Sequence, residues 1–183
     1  MWGIPWDRPV RRLSEYLDGL LPLLAGEQVD APGQTVTTRG QLRVPGAEAP
    51  PVYVAALGPQ LLRVAEQRTA GTITWMTGPR TLAGHTVPTL NAAAAEAGRQ
   101  AEVFAALPVC VTDDVAKARE LAAEAYAPYG TVPSYQAMLR REGVAAPEDL
   151  ALIGDDEHRP CPTGRDWRRT RRRVRRPRLR PQR

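Results

Sequence analysis

Two short stretches of this sequence have the residue types that hold a phosphate group. The first is Ala55-Ala56-Leu57-Gly58-Pro59, which joins an apolar run to a helical pattern. The first N–H groups of a helix have no intrahelical partner and lie at the positive end of its dipole, so an anion is stabilised there. Small residues let a ligand approach the backbone, and Pro59 presets the first helical turn. The alternative is a tight strand-to-helix turn that holds no ligand.

The second stretch is Met76-Thr77-Gly78, which ends the next apolar run. If the two runs are neighbouring parallel strands, their carboxyl ends lie on the same rim of the fold. Thr77 offers a hydroxyl and Gly78 an open backbone N–H. Arg80 is close enough in sequence to pair with a phosphate, although an exposed surface arginine is the plainer interpretation.

Other chemically interesting side chains have structural interpretations. Cys110 lies in an apolar run and is predicted to be a buried small hydrophobe. Trp75 lies inside a predicted strand, which indicates a core position. His85 is placed in a loop that approaches a helix, at the surface. Asp113 and Asp114 suit the start of a helix better than a pair of catalytic carboxylates.

No motif in the sequence assigns a catalytic residue. There is no Ser/His/Asp arrangement, Walker loop or GxGxxG. The two histidines and two cysteines lack metal-ligand spacing, so we expect no metal. No apolar run is long enough to span a membrane, and the first residues lack the pattern of a signal peptide. These features predict a cytoplasmic protein without a membrane partner.

The net charge of +5 is unevenly distributed along the 183 residues. Residues 159–183 hold 12 arginines and one acid, a net of +11, whereas the other 158 residues have a net charge of −6. We expect the arginine-rich segment to be disordered. One interpretation is an arm that neutralises nucleic-acid phosphates. We favour the other, a frameshift product of a GC-rich gene, because the chain has one Lys, one Asn and one Phe.

The elements that must position these residues follow from hydrophobic periodicity. Asp7 and Pro9 predict the start of an amphipathic helix that Gly26 ends. Residues 27–51 predict a long loop or small hairpin, with extended pieces at 35–38 and 41–44. Apolar strands are predicted at 52–56, 71–76 and 103–111. They alternate with helices, which are predicted at 60–69, 86–97, 113–126 and 133–142, and another helix begins within 147–153.

Strands that are apolar throughout and alternate with helices indicate an α/β protein with a parallel sheet. A complete eight-stranded α/β barrel needs at least about 200 residues. Residues 1–158 therefore form either a small open sheet or part of a barrel.

Five segments carry a resemblance to a known family: RPVRRLSEYL (8–17), VYVAALGP (52–59), GTITWMTGP (71–79), LPVCVTDD (107–114) and parts of 129–143. Their order and spacing resemble the bacterial luciferase-like oxidoreductases, in particular the branch that uses the deazaflavin coenzyme F420. The resemblance extends over about residues 3–157. It implies a (β/α)8 TIM barrel, of which residues 1–158 are a partial domain, the C-terminal half, followed by the separate tail 159–183.

The resemblance also implies a chemistry. Family members bind a flavin or deazaflavin at the carboxyl ends of the strands and transfer a hydride, or activate oxygen in the monooxygenases. The expected cofactor is coenzyme F420, with FMN as the alternative, and the substrate is a small organic molecule. The residues implied in cofactor binding are Ala55, Ala56, Leu57, Gly58, Met76, Thr77 and Gly78. Catalytic acids and bases are expected in the half that is absent, so we expect little activity from this chain alone.

Two other functions stay open at this point. The chain could bind nucleic acid through its arginine-rich tail, or it could complete its barrel with a partner chain. A homo-oligomer is also compatible with the sequence.

Overall fold

The computed structural model describes residues 7–98 and 102–154, with the side chains of 93–97 excepted. The arginine-rich tail and the proposed boundary at residue 158 lie outside the described residues. The helices are α1 (Pro9–Leu24), α2 (Pro59–Arg68), α3 (Pro79–Thr81), α4 (Val87–Ala97), α5 (Val115–Tyr126) and α6 (Pro133–Glu142). The strands are β1 (Gln28–Ala31), β2 (Thr38–Gln41), β3 (Tyr53–Ala55), β4 (Gly71–Trp75), β5 (Glu102–Ala106), β6 (Val109–Val111) and β7 (Leu152–Gly154).

The sheets confirm the predicted α/β class. Strands β3, β4 and β5 form a parallel sheet in that order, and β6 pairs in parallel with β7. The antiparallel pair of β1 and β2 is the predicted small hairpin, although its strands lie at other positions than the extended pieces expected at 35–38 and 41–44. The parallel strands are short, and helical segments follow β3, β4 and β6 in the chain.

One face of the β3–β4–β5 sheet is covered by helices. Leu17 of α1, Leu62 of α2 and Leu90 of α4 are fully buried and pack with Val54 of β3. The amphipathic pattern of α1 is thus explained by burial against this sheet, and a buried leucine of this kind contributes about 2–5 kcal/mol of stability.

The opposite face of the same sheet is exposed. Ala55, Ile73 and Phe104 are aligned in register across the three strands. Ile73 and Phe104 are 44% and 50% exposed, and the Phe104 ring packs edge-on against Tyr53 with 4.9 Å between centroids. Because sheet residues alternate between faces, this apolar row is the counterpart of the covered row that contains Val54.

A carboxylate attaches the hairpin to α1. Glu15 of α1 accepts hydrogen bonds from the backbone N–H groups of Thr35 (2.7 Å), Val36 (3.0 Å) and Gln34 (3.2 Å), and from the Thr35 hydroxyl (2.6 Å). These donors, the Thr35 hydroxyl first, lower the pKa of Glu15 to about 2. The loop before β2 is therefore held by one ionised side chain.

The structure corrects two predicted elements near the C-terminal end of the described chain. The single strand expected at 103–111 is two strands, because the chain leaves β4 at Leu107-Pro108 and joins β7 instead. Pro108 accepts a hydrogen bond from the Leu152 N–H at 2.9 Å and so begins the new pairing. The helix expected to begin within 147–153 is only a four-residue 3-10 helix (Pro147–Leu150), which leads into β7.

The start of α1 also differs from its prediction. Arg8, not Asp7, is the N-cap residue, and the Arg8 side chain does not cap the helix. Asp7 instead pairs with Arg8 at 3.2 Å and lies 4.0 Å from Arg12. Pro9 is the first helical residue, as expected, and Gly26 follows the end of the helix with a φ of 79°.

Candidate functional site

Two turns of the same design lie side by side on one rim of the sheet. Strands β3 and β4 are adjacent and parallel, so the turns that follow them leave the sheet at the same edge. Each turn ends in a glycine N-cap followed by proline, and the glycine backbones are alike: φ −83° and ψ 155° at Gly58, φ −78° and ψ 169° at Gly78. Both predicted strand-to-helix turns therefore exist, and the structure brings them together.

The first turn is open. Leu57 and Gly58 are half-buried, Pro59 and Gln60 are exposed, and a Cβ atom built on Gly58 would meet nothing within 4 Å. No side chain caps α2, and the N–H groups of Gln60 and Leu61 have no acceptor among the residues that the structure describes. Unpaired donors at the positive end of a ten-residue helix are suited to a phosphate.

The second turn is closed. Met76 and Thr77 are 1% and 0% exposed, and Gly78 is buried. The carboxylate of Glu142, the last residue of α6, accepts hydrogen bonds from the N–H groups of Arg80 (3.1 Å) and Thr81 (2.7 Å). A Cβ atom on Gly78 would overlap this carboxylate. An anion from the chain itself thus occupies the place that the sequence predicts for a ligand's phosphate.

The backbone at the end of β4 is strained. Met76 has a φ of 53°, in the left-handed region that side chains other than glycine rarely adopt. This conformation costs about 1–2 kcal/mol. The buried Met76 side chain is held by Leu139 and Leu150, and its packing offsets the cost. Strain of this kind is concentrated at ligand-binding positions, which supports the assignment of this rim as a site.

An aromatic cluster lies beside the second turn, and sequence reasoning missed it. Trp75 contacts Tyr126 (6.2 Å between centroids) and Tyr129 (6.4 Å), and Tyr129 packs edge-on against Tyr135 (4.9 Å). Burial, together with the nearby Tyr129, raises the pKa of Tyr135. The Trp75 indole N–H is buried without an acceptor in the described chain. Trp75 is thus part of a half-buried ring cluster rather than a fully enclosed core.

Arg80 is an exposed side chain, as its plainer interpretation predicted. Its Nη1 atom lies 2.8 Å from the position that a Cβ atom on Gly143 would occupy, so the guanidinium covers the residue after Glu142. It forms no salt bridge within residues 7–98 and 102–154. The arginine is available on the rim without being fixed to a carboxylate.

The other candidate side chains are separate from this rim or have structural roles. Asp114 caps α5 by accepting the Lys117 N–H at 3.0 Å, which confirms its helix-start assignment. Cys110 is exposed on β6, so its predicted burial is wrong: Val109 and Val111 beside it are 66% and 51% exposed. His85 lies in a π-helical turn (Leu82–Thr86), not in a loop.

Two further observations concern the described residues only. They contain no group of three or more His, Cys, Asp or Glu side chains placed to hold a metal ion. None of their helices has both the length and the apolar character needed to cross a bilayer.

Parallel strands followed by turns and helix N-termini at their carboxyl ends form the edge at which α/β proteins commonly bind ligands. The profile of one family, described as luciferase-like monooxygenase, matches residues 1–177. The chain belongs to this family.

Individual relatives agree with this assignment. A 5,10-methylenetetrahydromethanopterin reductase from Methanolobus tindarius is 29% identical over 153 residues, which are 81% of this chain and 46% of the relative. The chain thus spans about half the length of the curated relative that it matches. The coenzyme F420 dependent tetrahydromethanopterin reductase from Methanopyrus kandleri is 25% identical in a structural match with a TM-score of 0.58, covering 74% of this chain and 40% of that one.

Two more distant solved structures share the fold. An F420-dependent secondary alcohol dehydrogenase is 23% identical with a TM-score of 0.56, over 74% of this chain and 45% of that one. A monooxygenase from Streptomyces bottropensis is 19% identical with a TM-score of 0.57, over 84% of this chain and 49% of that one. The related proteins are thus F420-dependent oxidoreductases and monooxygenases. The comparisons give no support to the nucleic-acid alternative.

Proposed function

We propose that this chain forms the coenzyme-phosphate part of an F420-dependent oxidoreductase site. The reaction class is hydride transfer between the coenzyme and a small organic substrate. The observation that carries the proposal is the open first turn. Its N–H groups at Gln60 and Leu61 have no acceptor within residues 7–98 and 102–154 and lie on the rim where parallel-strand proteins bind their ligands. The family assignment and the F420-dependent relatives support the choice of coenzyme.

The residues of the first turn suit a phosphate group. The N–H groups of Gln60 and Leu61 would donate to its oxygens, since no other acceptor in the described chain takes them. The space beside Gly58 is open, since even a Cβ atom built there would meet nothing within 4 Å. Ala55 and Ala56 have small side chains, so they add little bulk at the end of β3. The first turn of α2 contains no acidic side chain that would repel an anion.

The second turn has a supporting role in this proposal. Met76, Thr77 and Gly78 are buried, so they shape the wall next to the phosphate rather than donating to it. The Thr77 hydroxyl already donates to the Trp75 carbonyl at 3.3 Å. Arg80 is the charged side chain of this rim that is free to approach a phosphate.

When bound, the deazaflavin accepts or donates the hydride. This chain's residues bind and orient the coenzyme through its phosphate, and the half-buried rings of Trp75 and Tyr135 keep water from one side of the rim. No side chain in the described residues is assigned as the acid or base of the reaction. A cytoplasmic location and a homo-oligomeric state remain predictions.

The proposal is tested by ligand binding to the full-length chain. Fluorescence titrations would use F420, its deazaflavin precursor without the phosphate, FMN and riboflavin. We expect F420 to bind at least about tenfold more tightly than the phosphate-free deazaflavin, since each charge-assisted hydrogen bond contributes about 1.5–3 kcal/mol. Tighter binding of FMN than of F420 would assign a flavin instead. Equal binding with and without the phosphate would refute the proposed site.

A further inference from the structure

The two turns pose a question of selectivity, because they have the same backbone design but only one is open. Gly58-Pro59 and Gly78-Pro79 both start helical segments after adjacent parallel strands. By backbone geometry alone, either would attract the phosphate of a coenzyme. The difference between them is the Glu142 carboxylate at the second turn.

We propose that Glu142 is a positioning residue that confines the coenzyme's phosphate to the Gly58 turn. This proposal rests on the proposed function and adds the rule by which the site selects one of its two turns. Glu142 acts by occupying the N–H groups of Arg80 and Thr81 at 3.1 and 2.7 Å and by placing a negative charge over Gly78. A phosphate would have to displace this carboxylate and approach its charge.

The position of Glu142 on its own helix supports this role. It is the last residue of α6, where the negative end of the helix dipole disfavours a carboxylate. Arg140 and Arg141 in the same turn suit that end of the helix, but Glu142 forms no salt bridge with either in the described chain. Its two hydrogen bonds run to a helical segment 61 and 62 residues earlier. Glu142 therefore stabilises the second turn rather than α6.

The residues around Glu142 fix its direction. Gly143 has a φ of 81°, which turns the chain sharply as α6 ends. The Arg80 guanidinium lies against Gly143. Met138 and Leu139, one turn earlier in α6, are buried. The end of α6 thus places the Glu142 carboxylate at the second turn.

The test is a titration of the 15N-labelled full-length chain with inorganic phosphate, read at four backbone amides. In the unaltered protein, Gln60 and Leu61 are expected to shift and Arg80 and Thr81 are not. In Glu142→Ala, the Arg80 and Thr81 amides should also shift, with an apparent phosphate affinity at least about tenfold higher than in the unaltered protein. Glu142→Gln removes the charge but keeps one acceptor, so an intermediate response is expected.

These readouts separate the inference from the proposed function. If Glu142 had a purely structural role, replacing it would not make the Arg80 and Thr81 amides shift on addition of phosphate. If Glu142→Ala does not fold, the Glu142→Gln protein decides the question. Unchanged Arg80 and Thr81 amides in a folded Glu142 variant overturn the inference, and so do shifts at these amides in the unaltered protein. If F420 does not bind in the fluorescence titrations, the proposed function is refuted. The titration with inorganic phosphate would still show whether Glu142 closes the second turn.

Discussion

Gly58→Asp should stabilise the fold and abolish coenzyme binding at the same time. Gly58 is the N-cap residue of α2, with extended backbone angles and open space at its Cβ position. An aspartate fits there without strain, and its carboxylate would accept the free N–H groups of Gln60 and Leu61. The substitution thus supplies, at the first turn, the internal anion that Glu142 supplies at the second.

Gly58→Asp should change the stability of the fold and the affinity for the coenzyme in opposite directions. An aspartate N-cap in place of glycine contributes a few tenths of a kcal/mol, and its charge at the helix dipole adds about 0.3–1 kcal/mol. A phosphate at this turn would lose two charge-assisted hydrogen bonds of about 1.5–3 kcal/mol each. It would also face a like charge at short range, a repulsion of up to about 4 kcal/mol near a protein surface. Coenzyme affinity should therefore fall by at least about 100-fold while the melting temperature stays equal or rises.

The assay pairs thermal unfolding with F420 titration, and Gly58→Ala is the matched control. Alanine also fits the open space but supplies neither a cap nor a charge, so it should bind F420 within a few-fold of the unaltered chain. Undiminished F420 binding by Gly58→Asp would refute the reasoning. So would equal loss of binding in Gly58→Ala, because the effect would then come from the backbone rather than from the anion.

Three further predictions concern the parts of the fold that hold or surround the site. The lowered pKa of Glu15, about 2, means that its carboxylate stabilises the fold above pH 4.5, the usual pKa of a glutamate, and that this stability is lost as the pH falls towards 2. Acid unfolding curves should therefore flatten in Glu15→Gln. Phe104→Ala should lower the free energy of unfolding by about 1 kcal/mol, since the Phe104 ring is half-exposed. A loss of about 3–5 kcal/mol in denaturant unfolding, as for a buried phenylalanine, would indicate that a second chain covers this face. In a Cys161→Ser background, Cys110 should react with a thiol reagent in the native state; protection until unfolding would contradict its exposure.

The parts of the fold that the sequence predicted well are those with local signals. The Gly58-Pro59 pair specifies an N-cap and a first helical residue, and α2 begins there. At Gly78-Pro79 the prediction began the helix too late, since helical residues precede the expected 86–97 from Pro79 onward. The apolar runs before these two Gly-Pro pairs became adjacent parallel strands. The N-cap role of Asp114 likewise depends on a residue only three positions away.

The missed features depend on contacts between distant parts of the chain. Glu142 meets Arg80 and Thr81 across more than 60 residues, so no local pattern could show that the second turn is filled. The break at Leu107-Pro108 is set by the pairing of β6 with β7, whose partner residues begin at Leu152. Cys110 was expected to be buried because its neighbours are apolar, but all three residues of β6 are exposed.

The central claim is that the N–H groups of Gln60 and Leu61 hold the phosphate of coenzyme F420. Its most direct test is a titration of the 15N-labelled full-length chain with F420 and, separately, with the deazaflavin that lacks the phosphate. We expect large, saturable shifts of the Gln60 and Leu61 amides with F420 and small ones with the phosphate-free compound. Unmoved amides in the presence of bound F420, or equal shifts with both compounds, would contradict it.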